Sequence, residues 1–164
     1  MKKLLAIIIS LALVFTLAAC AEESKEHLSY DEFAKAALDT NVCIEANVQA
    51  HQSWWENNGK GVVSVYLQDK NGGYFAYNLA CSKEDADKLT TGTKIRITGV
   101  KAEWAGEVEI IDATFEFVKN GKKFVAKATD VTSKLGTTEI DNYKNQLVAV
   151  KNAEVTRITR YAKC

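Results

Sequence analysis

The chain has 164 residues, with 21 basic and 21 acidic side chains, 47% apolar residues, no proline and four cysteines. That length holds one ordinary domain with a core of its own. Its net charge of zero provides no overall field to gather nucleic acid or anionic lipid, which weighs against function classes that depend on one.

Met1-Lys2-Lys3 starts the chain with positive charge, and an apolar run follows over residues 4–15, interrupted only by Ser10. A charged start, an apolar middle and small residues before a cut site describe a secretory signal peptide. The run is shorter than the ~20 residues a spanning helix needs. Leu17-Ala18-Ala19-Cys20 then resembles, at every position, the lipobox of bacterial lipoproteins. The resemblance implies that residues 1–19 are removed as a signal peptide and that Cys20 becomes an acylated, palmitate-bearing N-terminus. The mature chain would sit on the extracytoplasmic face of the cell membrane, since two acyl chains suffice for stable anchoring. Loss of Lys2 and Lys3 leaves that chain slightly acidic, and residues 20–28 read as a short polar tether.

With Cys20 assigned to the lipid, Cys43, Cys81 and Cys164 form an odd set outside the cytoplasm, so at most one internal bridge can form. Whether Cys43 and Cys81 are joined stays open; Cys43 falls on the polar side of its strand and Cys81 reads as a small buried hydrophobe. The cysteine spacings match no zinc pattern, and His27 and His51 lie far apart. No metal site and no cofactor is assigned.

Ser29-Tyr-Asp-Glu32 is a capping box opening a helix whose apolar face is Phe33, Ala34, Ala37 and Leu38, ending near residues 39–41. From Asn41 the period becomes two: Val42, Ile44, Ala46, Val48 and Ala50 alternate with Cys43, Glu45, Asn47, Gln49 and His51, which reads as a half-buried strand. Residues 53–60 form a loop carrying Trp54 and Trp55. A second strand points Val63, Val65 and Leu67 inward and Ser64, Tyr66 and Gln68 outward. Asp69-Lys-Asn-Gly-Gly73 makes a tight turn into a third strand over residues 74–79. Ser82-Lys-Glu-Asp85 is a second capping box, and its short helix runs to Lys88-Leu89 before Thr91-Gly92 stops it. A fourth strand, Lys94-Ile-Arg-Ile-Thr98, leads past Gly99 to the turn Trp104-Ala-Gly106. The fifth strand runs from Glu107 to about Val118, and its doublet Ile110-Ile111 shifts the apolar parity, as a β-bulge does.

Three strands, a helix and two more strands, with the segment Gly92-Thr-Lys-Ile-Arg-Ile-Thr-Gly99, resemble the OB-fold over residues 41–117. The resemblance implies a mainly β protein with short helices, built on a five-stranded Greek-key barrel, with its helix between strands three and four. Some other small barrel or sandwich with the same strand count remains open. After the barrel, Lys119-Asn-Gly-Lys122 reads as a type I′ turn returning through Phe124, Val125 and Ala126, so residues 29–128 form the barrel with its leading helix and hairpin extension. Residues 129–164 are either a C-terminal extension, with strand character from Gln146 onward, or the start of an incomplete second OB-like unit.

The OB resemblance implies a ligand face on strands two and three, framed by the loops between strands one and two and between strands four and five. It puts Trp54 and Trp55 on the first loop and Trp104 on the second, with Tyr66 and Tyr74 on the outward side between them. Gln68, Asn57, Asn58 and Asn78 add neutral hydrogen-bonding groups. Aromatic faces with amide side chains suit sugar rings, and they also suit nucleobases, where stacking contributes ~1–3 kcal/mol per base. Glu56, Asp69, Glu103, Glu107 and Glu109 against Lys60, Lys70 and Lys101 disfavour a polyanion, so a glycan, a small molecule or an envelope protein is expected in place of nucleic acid. A pair of tryptophans after a strand is equally a hydrophobic lid on a small barrel, tucked against the first helix. Ser53, His51 and Glu56 lie on one stretch with no oxyanion turn, and no Gly-rich phosphate loop is present. No catalytic residue is assigned, and the expected protein is a binding module.

Overall fold

The computed structural model describes residues 27–154. The lipobox, Cys20 and the strand-like positions Val155 and Ile158 lie outside these residues. Ser29 caps α1 (Tyr30–Lys35). Its hydroxyl accepts from the Glu32 amide, and the Glu32 carboxylate accepts from the Ser29 amide at 2.8 Å, so the capping box forms as its spacing implies. The helix stops several residues short of the expected end. Lys101 Nζ donates to the carbonyls of Phe33, Ala34 and Ala36 at 2.9, 3.0 and 2.7 Å, so the orphan carbonyls of the helix end are met by an ammonium in place of another turn. Phe33 alone of the expected apolar face is buried, and Leu38 is exposed.

Seven elements follow: β1 (Asn41–His51), β2 (Trp55–Asn57), β3 (Lys60–Gln68), β4 (Gly73–Ala80), α2 (Lys83–Ala86), β5 (Lys94–Trp104) and β6 (Glu107–Phe117). β1 pairs antiparallel with β3 and β5, β3 with β4, and β5 with β6. The ring closes where β4 meets β6 in parallel at Ala76 and Ile110. The order β1-β3-β4-β6-β5, with α2 between the third and fourth barrel strands, is that of the OB-fold. The barrel fills with alternate residues, among them Ile44, Val48, Val63, Val65, Leu67, Leu79, Ile95, Ile97 and Ile110, each fully buried.

Several local expectations are corrected. A register shift between Val48 and Ala50 breaks the parity of β1, so Ala50 is exposed. The loop after β1 contains β2, which folds onto β3 through Asn58 and Gly59 with φ of 51° and 75°, the left-handed pair of a type I′ turn. Tyr74 pairs with Leu67 and faces the core at 1% exposure. Its ring packs on Phe33 and Tyr30 at centroid distances of 5.0 and 5.5 Å. Lys101, expected on the rim, continues the inward alternation of Ile95, Ile97 and Gly99 and is 4% exposed. Cys43 and Cys81 are both free; burial first, then the Asp85 carboxylate, pushes the Cys81 thiol up to about 11.

The hairpin return after Lys119 does not form as a strand. Residues 121–128 run as irregular chain, held by side chains of β1: Asn47 Nδ2 donates to the Lys122 carbonyl, and Gln49 Oε1 accepts from the Ala126 amide. Beyond it β7 (Thr129–Asp130) and β8 (Val148–Ala149) pair in parallel as a separate two-stranded sheet. Between them lie the 3-10 helices Thr132–Lys134 and Thr138–Tyr143.

Candidate functional site

The outward face of β3, β4 and β6 has two differently finished ends. At the end nearest the β3–β4 turn, residues 145–147 cross all three strands as a strap. Asn145 Nδ2 donates to the Val108 carbonyl on β6 at 2.8 Å, and the Leu147 amide donates to Gln68 Oε1 on β3 at 2.9 Å. Between these fixings the strap rests on Gly73, where a Cβ would collide with the Asn145 carbonyl group and the Gln146 amide. A glycine is what lets a second backbone lie this close to the sheet.

The middle of the face is aromatic. Tyr66 stacks on Phe75 with centroids 4.6 Å apart and planes inclined by 24°. Burial first, then the Glu107 carboxylate, raises the Tyr66 phenol above its ordinary range. Phe75, adjacent to Tyr74, therefore holds the place on this face that the sequence pattern assigns to Tyr74.

The other end opens into a cleft of about 750 Å³, lined in part by Asn58 and Lys60 from the β2–β3 hairpin, Tyr77 and Asn78 from β4, and Glu109 and Asp112 from β6. Two bulges shape it. On β4, Tyr77 and Asn78 together oppose Ser64, and on β6, Asp112 and Ala113 together oppose Gly99. The second is the bulge that the Ile110-Ile111 doublet implies. Asn78 and Asp112 both adopt φ of 48°, a left-handed conformation that Asn and Asp tolerate better than other side-chain-bearing residues. The parallel pairing of Ala76 with Ile110 sets Asn78 level with Asp112, two residues further along each strand. Bulges re-aim side chains and are over-represented beside functional sites.

Within this cleft Asn78 Oδ1 is buried and meets no hydrogen-bond donor among the described residues, although its own backbone amide is held by Ser64 Oγ at 3.2 Å. A buried acceptor left unpaired costs about 1–3 kcal/mol. Burial first, then Glu107, raises the Glu109 carboxyl above the ordinary carboxylate range. Tyr77 stands 45% exposed as the aromatic wall.

The tryptophans do not form one rim. Trp54 is half-buried, packs against the barrel core and donates through Nε1 to the Cys81 carbonyl at 2.9 Å. It lies over Gly61, whose missing Cβ leaves room for its indole, and beside Ala86 of α2. This is the lid arrangement, seated against the second helix and not the first. Trp55 pairs with Val62, a residue of the cleft wall, and is exposed, but it does not itself line the cleft. Trp104 is 74% exposed beside the Ala105-Gly106 turn, at the strapped end of the face. The structure thus leaves Trp55 on the hairpin next to the cleft without lining it, keeps Tyr66 in mid-face, and sets Trp54, Tyr74 and Trp104 away from the cleft. Sequence reasoning missed Tyr77 and Asp112. The signal for Asp112 was a carboxylate set inside the apolar run Ile110-Ile111-Asp112-Ala113, where only a bulge turns it to solvent.

Among the described residues no group of three or more His, Cys, Asp or Glu side chains could hold a metal ion. His51 Nδ1 lies 2.8 Å from the Gln52 carbonyl, an imidazole engaged with neighbouring backbone.

No protein-family model matches the chain, and no curated protein matches it. Among solved structures the chain is similar to the aspartyl tRNA synthetase from Entamoeba histolytica, at 16% identity, 68% of this chain, 24% of that one and a TM-score of 0.46. It is also similar to the Ifi202 HINa domain in complex with a 20bp dsDNA, at 18% identity, 54% of this chain, 48% of that one and a TM-score of 0.37. A third is the replication factor A related protein from Methanobacterium thermoautotrophicum, at 14% identity, 58% of this chain, 94% of that one and a TM-score of 0.43. The chain spans about a quarter of the synthetase and about half of the HINa domain. The OB assignment stands on the strand order and register described above.

Proposed function

We propose that the protein is a lipid-anchored binding module. It is acylated on Cys20, held on the extracytoplasmic face of the cell membrane, and carries an OB barrel that binds a glycan or small molecule without acting on it chemically. The observation that carries the binding reading is the open cleft at one end of the outward face, where Tyr77 stands exposed beside amide and carboxylate groups, with Trp55 exposed on the adjoining hairpin. Glu109 and Asp112, which share the cleft lining with Lys60, make a poor cradle for a polyanion, since neutralising phosphates requires a surplus of Lys and Arg. The lipobox supports the anchor and directs the ligand search to the cell envelope.

The anchor and the module are tested separately. Palmitate labelling and membrane retention of the full-length chain should both vanish in Cys20→Ser, and labelling that persists in that variant overturns the anchor. Soluble glycans should change the tryptophan fluorescence of the intact protein, and Trp55→Ala should abolish the change. A second reading, docking of another envelope protein, is favoured by Trp104, whose indole stands in solvent at the tip of the β5–β6 hairpin. A partner whose capture is lost in Trp104→Ala and kept in Trp55→Ala would support that reading.

A further inference from the structure

We propose that the cleft formed by the paired bulges of β4 and β6 is a saccharide subsite, in which Asn78 and Asp112 accept hydrogen bonds from neighbouring ligand hydroxyls while Tyr77 packs against the sugar ring. The proposal rests on the binding-module reading above and names the ligand class for it.

Three observations converge. The first is the coincidence of the bulges. Each strand inserts its extra residue at the same level, each places an Asx residue there at φ of 48°, and the parallel pairing at Ala76 and Ile110 puts the two side by side. A single bulge on one strand is common in barrels; two in register on adjacent parallel strands present a matched pair of oxygen-bearing side chains to one cleft. The second is chemical. The lining is rich in acceptors: the buried Asn78 Oδ1 without a donor among the described residues, the half-buried Glu109 carboxylate and the exposed Asp112 carboxylate. An acceptor-rich lining selects a ligand that brings donors, and the hydroxyls of a sugar ring do so at neighbouring positions. The third is the wall. Tyr77 is exposed and offers its ring to the C–H face of a sugar, while the Asn58 amide and the Lys60 ammonium on the hairpin supply donors for the ring and bridging oxygens. Charge then separates this class from its competitors. The carboxylates oppose phosphates, and Lys60 opposes a ligand whose donors are ammonium groups. The cleft volume lies within the range of small-molecule sites.

The test uses the full-length protein in lipid nanodiscs, titrated calorimetrically with chitotriose, maltotriose and cellotriose at up to millimolar concentration. One or more should bind. Asn78→Gly removes the amide while keeping a residue at home at positive φ, so it folds without strain and should weaken binding by about tenfold or more. Tyr77→Ala should weaken binding to a similar degree, and Asp112→Asn, which keeps the left-handed backbone, should weaken it less. Failure of all three trisaccharides to bind overturns the subsite. Binding that survives Asn78→Gly and Tyr77→Ala but is lost in Trp104→Ala overturns the cleft assignment while leaving the binding module intact. Spermidine binding that these variants abolish, without saccharide binding, overturns the ligand class. Single-stranded DNA binding at moderate salt that Tyr77→Ala abolishes overturns the saccharide subsite and the glycan reading together.

Discussion

Replacing Lys101 by methionine isolates the device that ends α1. The ammonium is almost entirely buried, donates to three helix-end carbonyls and sits 5.1 Å from the centroid of the Phe33 ring. Hydrogen bonds from a charged donor each contribute about 1.5–3 kcal/mol. Against them stands the cost of burying the charge, several kcal/mol after relaxation, which Lys101→Met removes. Methionine restores most of the volume, but it leaves the carbonyls of Phe33, Ala34 and Ala36 facing a thioether that cannot donate. The balance is a loss of roughly 2–4 kcal/mol. With a urea slope of about 1–3 kcal/mol per molar, the unfolding midpoint should fall by about 1–2 M. Amide exchange should locate the effect, because the Ala36 amide donates to the Glu32 and Phe33 carbonyls and should exchange faster once the helix end frays. A midpoint within about 0.3 M of the parent, with Ala36 exchange unchanged, would refute the reasoning: the bonds would then only cancel the cost of desolvation.

Glu45 provides a pH-dependent test. Burial alone would raise its carboxyl, but hydrogen bonds from Lys94 and Arg96 outweigh it and hold the group below its ordinary value of 4.5. The folded value being the lower one, the stabilisation is present above 4.5 and is lost as pH falls through the folded value; Glu45→Gln should flatten that acid limb and cost roughly 1–2 kcal/mol at neutral pH, read from denaturant midpoints across pH. Gly73→Ala should lift the strap off the sheet, so that the Leu147 amide loses its exchange protection and trypsin gains access to Lys144. Unchanged Leu147 protection would show that the strap is not seated on Gly73. Ser29→Ala removes the hydroxyl half of the first capping box and should lower stability by about 1 kcal/mol, measured by the same denaturation.

The barrel was legible because its inward positions obey a period of two and its helices announce themselves by caps. Ser29 closes its capping box as the sequence implies, Ser82 caps α2 through the Asp85 amide without the reciprocal bond of a box, and the doublet Ile110-Ile111 marks a real bulge. Tyr74 was misjudged for a physical reason. Both faces of β4 are apolar near its start, Tyr74 on one and Phe75 on the other, so alternation cannot say which faces the core. The strap and the stacked Tyr66 cover the outward face, and the strap comes from a segment some seventy residues away, which no local pattern reports. The helix end was overestimated because its stop signal is not local either: it is Lys101, on a strand after α2. The hairpin after Lys119 had the right turn residues, Asn120 included at φ of 57°, but its return arm is claimed by Asn47 and Gln49 of β1. The cleft was half visible in Asn57, Asn58 and Asn78, while Asp112 joins them only through the parallel register of β4 and β6.

The strap has a consequence for the shape of anything that lies along this face. Many barrel faces are thoroughfares that a polymer crosses from one edge to the other. Here a ligand entering at the β2–β3 hairpin and running along the strands meets the Asn145–Leu147 backbone, fastened to β3 and β6 on either side. The face is a cul-de-sac. For the saccharide proposed for the cleft, such a geometry would favour a chain terminus over its interior, and occupancy would then follow the number of ends in a sample, rising when a long polymer is cut into short ones of the same total mass.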